Sequence, residues 1–239
     1  TTAYQTEKDS FYVTVGLWQA GQNRIFIDCN VQSPADMLSP GRIGMTAILP
    51  VRFTAMKWYG KGPLETYPDR QCGGRMGVYS EDVRNQPFYL RPQEYGLHTE
   101  SRSMRLTDPD RADFVRFEAA CPMAMSAVHY SDLQLWNARH PFELPAPEAL
   151  YVHLDYAHRG LGNSSCGPDV LPTYRIDDRP CRFGFALEAG LGEQEDNPFG
   201  PIPEEIPAYH PWKAVGEQDR TPSYRDPSDP DQRSNAGMV

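Results

Sequence analysis

Phe11, Val13, Val15 and Leu17 alternate with Tyr12, Thr14 and Gly16, and the same period of two recurs along most of the chain. Such a period puts the apolar side chains on one face of a strand; a helix cannot satisfy it. After a turn at 20–23, Ile25, Ile27, Cys29 and Val31 repeat the pattern. A loop follows at 33–41, and Ile43, Met45, Ala47 and Leu49 then resume the alternation. Val115, Phe117 and Ala119 share one face, and Met123, Met125 and Ala127 share another beyond Pro122. Leu150, Val152, Leu154 and Tyr156 alternate with polar residues, and Cys181, Phe183, Phe185 and Leu187 close the series. Short strands joined by Gly/Pro turns predict an all-β, antiparallel sandwich with one face of each sheet buried. One helix is expected over 131–140, capped by Ser131, with Leu133, Trp136 and Ala138 roughly on one side and Pro141 stopping it. The stretch 73–79 reads as glycine-rich loop, and 83–95 as extended and proline-bounded.

The strand pattern ends near Gly190. Residues 191–239 are rich in Pro, Asp, Glu, Ser and Gln, and they read as a flexible tail that cannot bury enough apolar surface to offset its ordering entropy. The division expected is therefore a β domain over 1–190 and a tail over 191–239. The tail also accounts for a mean hydropathy of −0.61, low for a packed globule. A net charge of −9 and the lack of a basic stripe argue against a nucleic-acid surface. No run is long and apolar enough for a membrane span, and the first residues do not read as a leader. The opening Thr-Thr-Ala-Tyr suggests a chain cut from something longer, a domain incomplete at its N-terminus. Five scattered cysteines without a Cys-x-x-Cys pair read as free thiols in a reducing cytoplasm, with no zinc site. His98, His129, His140, His153 and His158 are not spaced to share a metal with a carboxylate, so no metal is assigned.

The densest chemistry lies in 58–70, W-Y-G-K-G-P-L-E-T-Y-P-D-R. Gly60 and Gly62 permit positive φ, while Pro63 and Pro68 fix φ near −65°, which predicts a stiff irregular loop. Trp58, Tyr67, Glu65, Asp69 and Arg70 complete the motif. Further on stand Y-L-R-P-Q-E-Y-G over 89–96, with Arg91 and Glu94, then D-L-Q-L-W-N-A-R-H-P-F-E-L over 132–144 and H-R-G-L-G-N-S-S-C-G-P over 158–168. On residue chemistry alone, Glu65 and Glu94 beside Arg70 and Arg91 read as buried ion pairs.

These four motifs, in this order, resemble the C-terminal β-sandwich domain of family 2 β-galactosidases, the small chain of the split forms. The resemblance implies a large galactose-mutarotase-like supersandwich. It implies a role in hydrolysing terminal β-galactosides such as lactose within an oligomeric cytoplasmic enzyme. A retaining glycosidase uses two carboxyl groups roughly 5–5.5 Å apart, and in this family both are glutamates on a separate (β/α)₈ barrel. The barrel is thus the implied partner, and no residue of this chain is expected to be catalytic, Glu143 included. The Mg and Na that family enzymes often use also belong to the barrel, leaving this chain without a cofactor.

The loop 158–168 aligns with the family segment that lines the sugar pocket, which makes His158, Asn163, Ser164, Ser165 and Cys166 the expected substrate-binding residues. Cys166 stands where several members carry a stacking tryptophan, and a thiol offers no such π face. Two other readings are open. One is a stand-alone carbohydrate-binding module, with Tyr67, Phe88 and Tyr89 as a weak aromatic row. The other is an aldose-epimerase-like enzyme, which needs a His/Glu acid–base pair.

Overall fold

The structure, a computed structural model, describes residues 2–5, 10–19, 22–32, 39–86, 89–163, 167–176 and 180–191. Its strands are β1 (Thr2–Gln5), β2 (Ser10–Gln19), β3 (Arg24–Gln32), β4 (Arg42–Pro50), β5 (Ala55–Gly62), β6 (Arg75–Asp82), β7 (His98–Thr107), β8 (Asp113–Val128), β9 (Ala149–His158) and β10 (Cys181–Leu191). One helix, α1 (Asp132–Asn137), and three single 3₁₀ turns complete the described elements. All pairings are antiparallel.

Strand β8 ties two layers together. Its first half pairs with β10 as far as Ala119↔Phe185, and its second half pairs with β9 from Ala124↔Asp155. Pro122 lies between these two ladders, where the strand exchanges one neighbour for the other and its missing N–H costs no hydrogen bond. What the sequence reads as two strands is one strand that changes neighbours at its proline. On β7, which pairs with both halves, the register slips twice, and Glu100 takes a φ of 56° in the first slip. An extra residue of this kind bends and twists a ladder locally.

One layer runs β1-β2-β3-β10-β8-β7-β5-β6, and the other carries β4 and β9 on the far half of β8. The layers meet face to face. Cys29 on β3 donates to the sulfur of Met45 on β4 at 3.2 Å, and Tyr156 on β9 stacks on Phe183 of β10 with ring centroids 5.6 Å apart. Between them Trp58, Met104, Leu106, Phe117, Met125, Leu150, Leu154 and Phe185 form one buried core. The all-β sandwich expected from the periodicity is the fold observed.

Four local expectations change. Residues 58–62 belong to β5 rather than to a loop. Neither Gly60 nor Gly62 has positive φ. They are glycines because a Cβ would meet Ser101 Cα at 2.9 Å or the Tyr79 ring at 2.6 Å. The stretch read as loop at 73–79 is largely edge strand β6, whose Met76 and Val78 are exposed and so give no burial pattern. Strand β7 had no alternation to announce it, since Ser101, Ser103 and Arg105 are buried along with Met104 and Leu106. The helix is shorter than expected. Ser131 caps it in a capping box with Gln134, but Leu135 and Ala138 turn inward, while Leu133 and Trp136 face solvent. The expected tail, apart from Leu191 at the end of β10, lies outside the described residues. No described helix is long and apolar enough to cross a membrane.

Candidate functional site

The turn Tyr67-Pro68-Asp69-Arg70 closes on itself through two backbone hydrogen bonds, Tyr67 N to Arg70 O at 3.1 Å and Arg70 N to Tyr67 O at 2.8 Å. Proline at the second position pre-sets its φ. The closed turn aims the Asp69 carboxylate at the chain beyond β9. One oxygen accepts from Leu161 N at 3.0 Å and the other from Gly162 N at 2.7 Å. Gly160 and Gly162 make that approach possible. A Cβ on Gly160 would lie 2.7 Å from the Asp69 carboxyl carbon, and Gly162 has a φ of +64° with Val170 N 2.7 Å from where its Cβ would stand. Charge-assisted bonds to backbone N–H groups are among the strong ones. The first motif therefore holds the start of the last one in place.

Glu65 anchors the other side of the turn. It accepts from Gly96 N at 2.7 Å, pairs with Arg70, and takes the Tyr89 hydroxyl as a further donor. Thr66 donates its backbone N–H to Leu97 O at 2.6 Å, and Thr99 N donates to the Thr66 hydroxyl at 2.9 Å. Tyr67 is wholly buried with Leu97 and Ala124, which removes it from any exposed aromatic row. Glu65 and Arg70 do pair, but the arginine side chain is half exposed, so the pair is not the buried one expected. Glu94 pairs with Arg42 instead of Arg91, which is exposed. Arg91 faces an open hollow of about 630 Å³ that it lines with Leu90, Arg139 and His140. Glu143 accepts from Arg139 N at 2.8 Å.

Beneath the turn lies a charged cluster that the sequence did not announce. Arg42, at the start of β4, contacts Glu94, reaches Asp155 of β9 at 3.5 Å and reaches Asp132 of α1 at 3.7 Å. A bulge between Ile43 and Gly44 sets this geometry, because any Cβ on Gly44 would collide with Asp155 at 2.3 Å. The Asp155 side chain is 1% exposed, and its Oδ2 and the Arg42 Nη1 atom face each other without a hydrogen bond. Burial pushes Asp155 up to about 8 and Glu94 up to about 7, in both cases against the pull of Arg42. His153 and His158 flank the cluster, and burial with the nearby Arg42 charge pushes both down to about 4, so both are neutral. His153 Nδ1 meets the Thr46 hydroxyl at 3.1 Å. His158 Nδ1 lies 2.6 Å from the Arg159 carbonyl and so carries the proton it donates there. Its Nε2 is left facing Glu94 at 3.8 Å, with the Tyr67 ring edge-on beside it. The arrangement cross-braces β4, β9, α1 and the 89–97 segment. An alternating Val152-His153-Leu154-Asp155 pattern was the available signal, a strand with buried polar residues on its second face.

Of the expected substrate-binding residues, His158 is thus a buried brace, and Asn163 is exposed at the loop's turn, with its N–H on Pro168 O at 3.3 Å. Ser164, Ser165 and Cys166 lie outside the described residues, as does Phe88. Among the described residues no cluster of His, Cys, Asp and Glu is arranged to hold a metal.

The chain is 32% identical over 156 residues to a β-galactosidase of Staphylococcus xylosus, with 64% of this chain and 16% of that protein covered. Against an Arthrobacter β-galactosidase the figures are 33% over 168 residues, 66% and 16%. Against β-galactosidase BgaC of Bifidobacterium adolescentis they are 34% over 175 residues, 71% and 16%. The chain thus spans about a sixth of the length of the relatives it matches. A solved structure of an Escherichia coli K12 protein described as an aldose 1-epimerase superimposes with a TM-score of 0.35 and 10% identity, covering 80% of this chain and 68% of its own. The family model described as β-galactosidase small chain matches residues 1–187, and the chain belongs to that family.

Proposed function

We propose that this chain is a non-catalytic β domain or small subunit of a cytoplasmic β-galactosidase, and that it forms one wall of the galactoside pocket beside a catalytic (β/α)₈ barrel. The observation that carries this reading is the double hydrogen bond from Asp69 to Leu161 and Gly162, which fixes the base of the 158–168 loop. Substrate-contacting residues on loops depend on a rigid scaffold to hold them in place. The carboxylates support a non-catalytic role. Glu65 and Glu94 are each committed to an arginine, and Glu143 is an exposed backbone acceptor. The cytoplasmic setting is supported by free thiols on Cys29, Cys72 and Cys121. The metal ions that assist such an enzyme are assigned to the barrel.

The test is a hybrid in which this chain replaces the segment it matches in the Staphylococcus xylosus enzyme. Cys166→Trp in that hybrid should lower KM about fivefold, the worth of one stacking contact of about 1 kcal/mol. An unchanged KM with a loss of stability would put Cys166 in the core and refute the pocket role. The isolated chain should not turn over a chromogenic β-galactoside; turnover abolished by Glu94→Gln would refute the non-catalytic reading.

A further inference from the structure

The outer face of the wider layer carries chemistry that neither the loop nor the charged cluster uses. Tyr12, Thr14, Gly16 and Trp18 of β2 alternate with Val13, Val15 and Leu17, of which Val15 pairs with the core residue Cys29 and Leu17 with the core residue Ile27. The first set therefore points out of the sandwich, on the side turned away from β4 and β9. The register carries this face across β3 and β10, with Gly16 opposite Asp28 and Asp28 opposite Gly184. Tyr12 is 49% and Trp18 is 48% exposed. Six residues apart on one strand, they lie about 20 Å from each other, with Thr14 and Gly16 as the low ground between them.

Two glycines let the aromatic rings settle against the sheet. Trp18 and Phe26 are direct cross-strand partners, stacked with ring centroids 4.9 Å apart. Both lean along their strands toward the row of Asp28. Cζ3 of Trp18 lies 3.3 Å from where a Cβ on Gly16 would stand, and Cε1 of Phe26 lies 3.2 Å from the corresponding point on Gly184. In that row Arg182 grips Asp28 through two parallel hydrogen bonds, Nε to Oδ1 at 3.0 Å and Nη2 to Oδ2 at 2.9 Å. Such a fork holds both groups in a fixed geometry. Asn30 and Gln32, the next outward residues of β3, stand opposite Thr14 and Tyr12. A half-exposed indole thus stands beside fixed polar groups.

We infer that the outer face of β2, β3 and β10 binds a neutral oligosaccharide, with one pyranose on Trp18, another on Tyr12, and hydroxyls on Thr14, Asn30 and the Asp28–Arg182 pair. This site lies across the core from the 158–168 loop and does not depend on the reading of that loop as a pocket wall. Side-chain chemistry selects the ligand. The outward positions of β2 and β3 carry no Val, Leu, Ile or Met, and the middle of the face is an ion pair. The centre of a protein interface is instead apolar and depleted of charge. A nucleic acid would also stack on Trp18, but its phosphates would meet Asp28, Glu118 and Glu188 in a chain of net charge −9. A pyranose is uncharged. It offers a flat C–H face to an indole and a rim of hydroxyls that donate and accept, which suits a ring flanked by amide, carboxylate and guanidinium groups.

Nuclear magnetic resonance on the full chain provides the test, with linear galactotetraose, cellotetraose and lactose as probes. The indole N–H signals of the four tryptophans report position, since Trp58 is buried and Trp136 is exposed on α1. At least one tetrasaccharide should shift the Trp18 signal saturably and leave those of Trp58 and Trp136 in place. Trp18→Ala, followed through the backbone amides of Thr14 and Gly16, should weaken binding about fivefold, the worth of one stacking contact. Thr14→Lys is the second variant should the first not fold. Its side chain fills the low ground between the rings, so it should weaken binding as much and leave the melting temperature unchanged, Thr14 being exposed. A chain whose Trp18 signal responds to no probe overturns the inference. So does an affinity that survives both variants, and so does a shift centred on Trp136. Shifts confined to the amides of Gly160 to Asn163 overturn the platform and leave the pocket reading standing. A saturable shift at Trp18 with a KM unresponsive to Cys166→Trp does the reverse.

Discussion

Two regions of the sandwich follow opposite rules, the Arg42/His158 end of the β4–β9 pair and the β2 margin. At the Arg42/His158 end charged and polar groups are drawn out of solvent and each is braced: Arg42 by Glu94 and Asp155, His158 by the Arg159 carbonyl, and the half-buried Asp69 by two backbone N–H groups. Along the β2 margin apolar groups of the same core face are left outside. Burying charge costs several kcal/mol per ion unless the geometry is good, and leaving a leucine exposed forgoes only about 1.5–3 kcal/mol. The chain thus accepts its largest electrostatic cost where a loop must be held still and leaves its hydrophobic contribution unfinished elsewhere. The braced end is the one that should break hardest.

Arg42→Met is the largest expected effect. It leaves Glu94 and the 1%-exposed Asp155 side chain without their cation, and removing one partner of a buried pair costs about 3–5 kcal/mol. Urea unfolding at pH 8 measures it. The loss should shrink toward pH 5, because protonated carboxyls no longer need the guanidinium. An equal loss at both values would mean that Arg42 acts through packing instead of charge.

A smaller effect comes from pH on the unaltered chain. Glu94 rises from 4.5 to about 7 and Asp155 from 3.8 to about 8, so the folded state holds protons that the unfolded state has released. Their contribution is complete below the unfolded values and is lost as pH rises through the folded ones. His153 and His158 fall from 6.5 to about 4, so theirs is present above 6.5 and is lost as pH falls toward 4. Below 6.5 the two pairs oppose each other, and above it only the acids titrate. Stability should therefore decline between pH 6.5 and 8.5 by about 2–3 kcal/mol. Asp155→Asn should flatten that slope, and a slope unchanged by the variant would remove Asp155 from the account.

The same contrast explains what could be read from the sequence. Strands β2, β3, β4, β9 and β10 were legible because each alternates apolar with polar residues, and a period of two needs no knowledge of partners. Strand β7 was not, since Ser101, Ser103 and Arg105 are as buried as Met104 and Leu106. Edge strand β6 failed for the opposite reason, with Met76 and Val78 exposed. The motif residues were legible as a set, but their partners were not. Glu94 takes Arg42, 52 positions away in the chain, in place of its neighbour Arg91, and Asp69 reaches across 92 positions to Leu161. Such pairings depend on how β4 and β9 come together, which no local pattern encodes. The bare β2 margin was also hidden, because Val15 and Leu17 have the alternation of core residues whether or not a roof lies above them.

The smallest expected effect is therefore the most discriminating. Leu17→Ser in the free chain should change stability by no more than about 0.5 kcal/mol, the range of an ordinary surface substitution. The sequence pattern argues otherwise, because a leucine on the core face of a strand normally costs about 2–5 kcal/mol when truncated. The structure decides between these values by exposure. At 66% exposed, most of the Leu17 side chain is already in water, so its removal creates no cavity and returns little apolar area to solvent. Phe185→Ala, on the same face of the same layer but 2% exposed, supplies the scale and should lose about 3–5 kcal/mol. Thermal and urea unfolding of both variants under one condition give the ratio. If Leu17→Ser approaches Phe185→Ala, something already covers β2 in the free chain. The contrast between a braced end and a bare margin would then disappear.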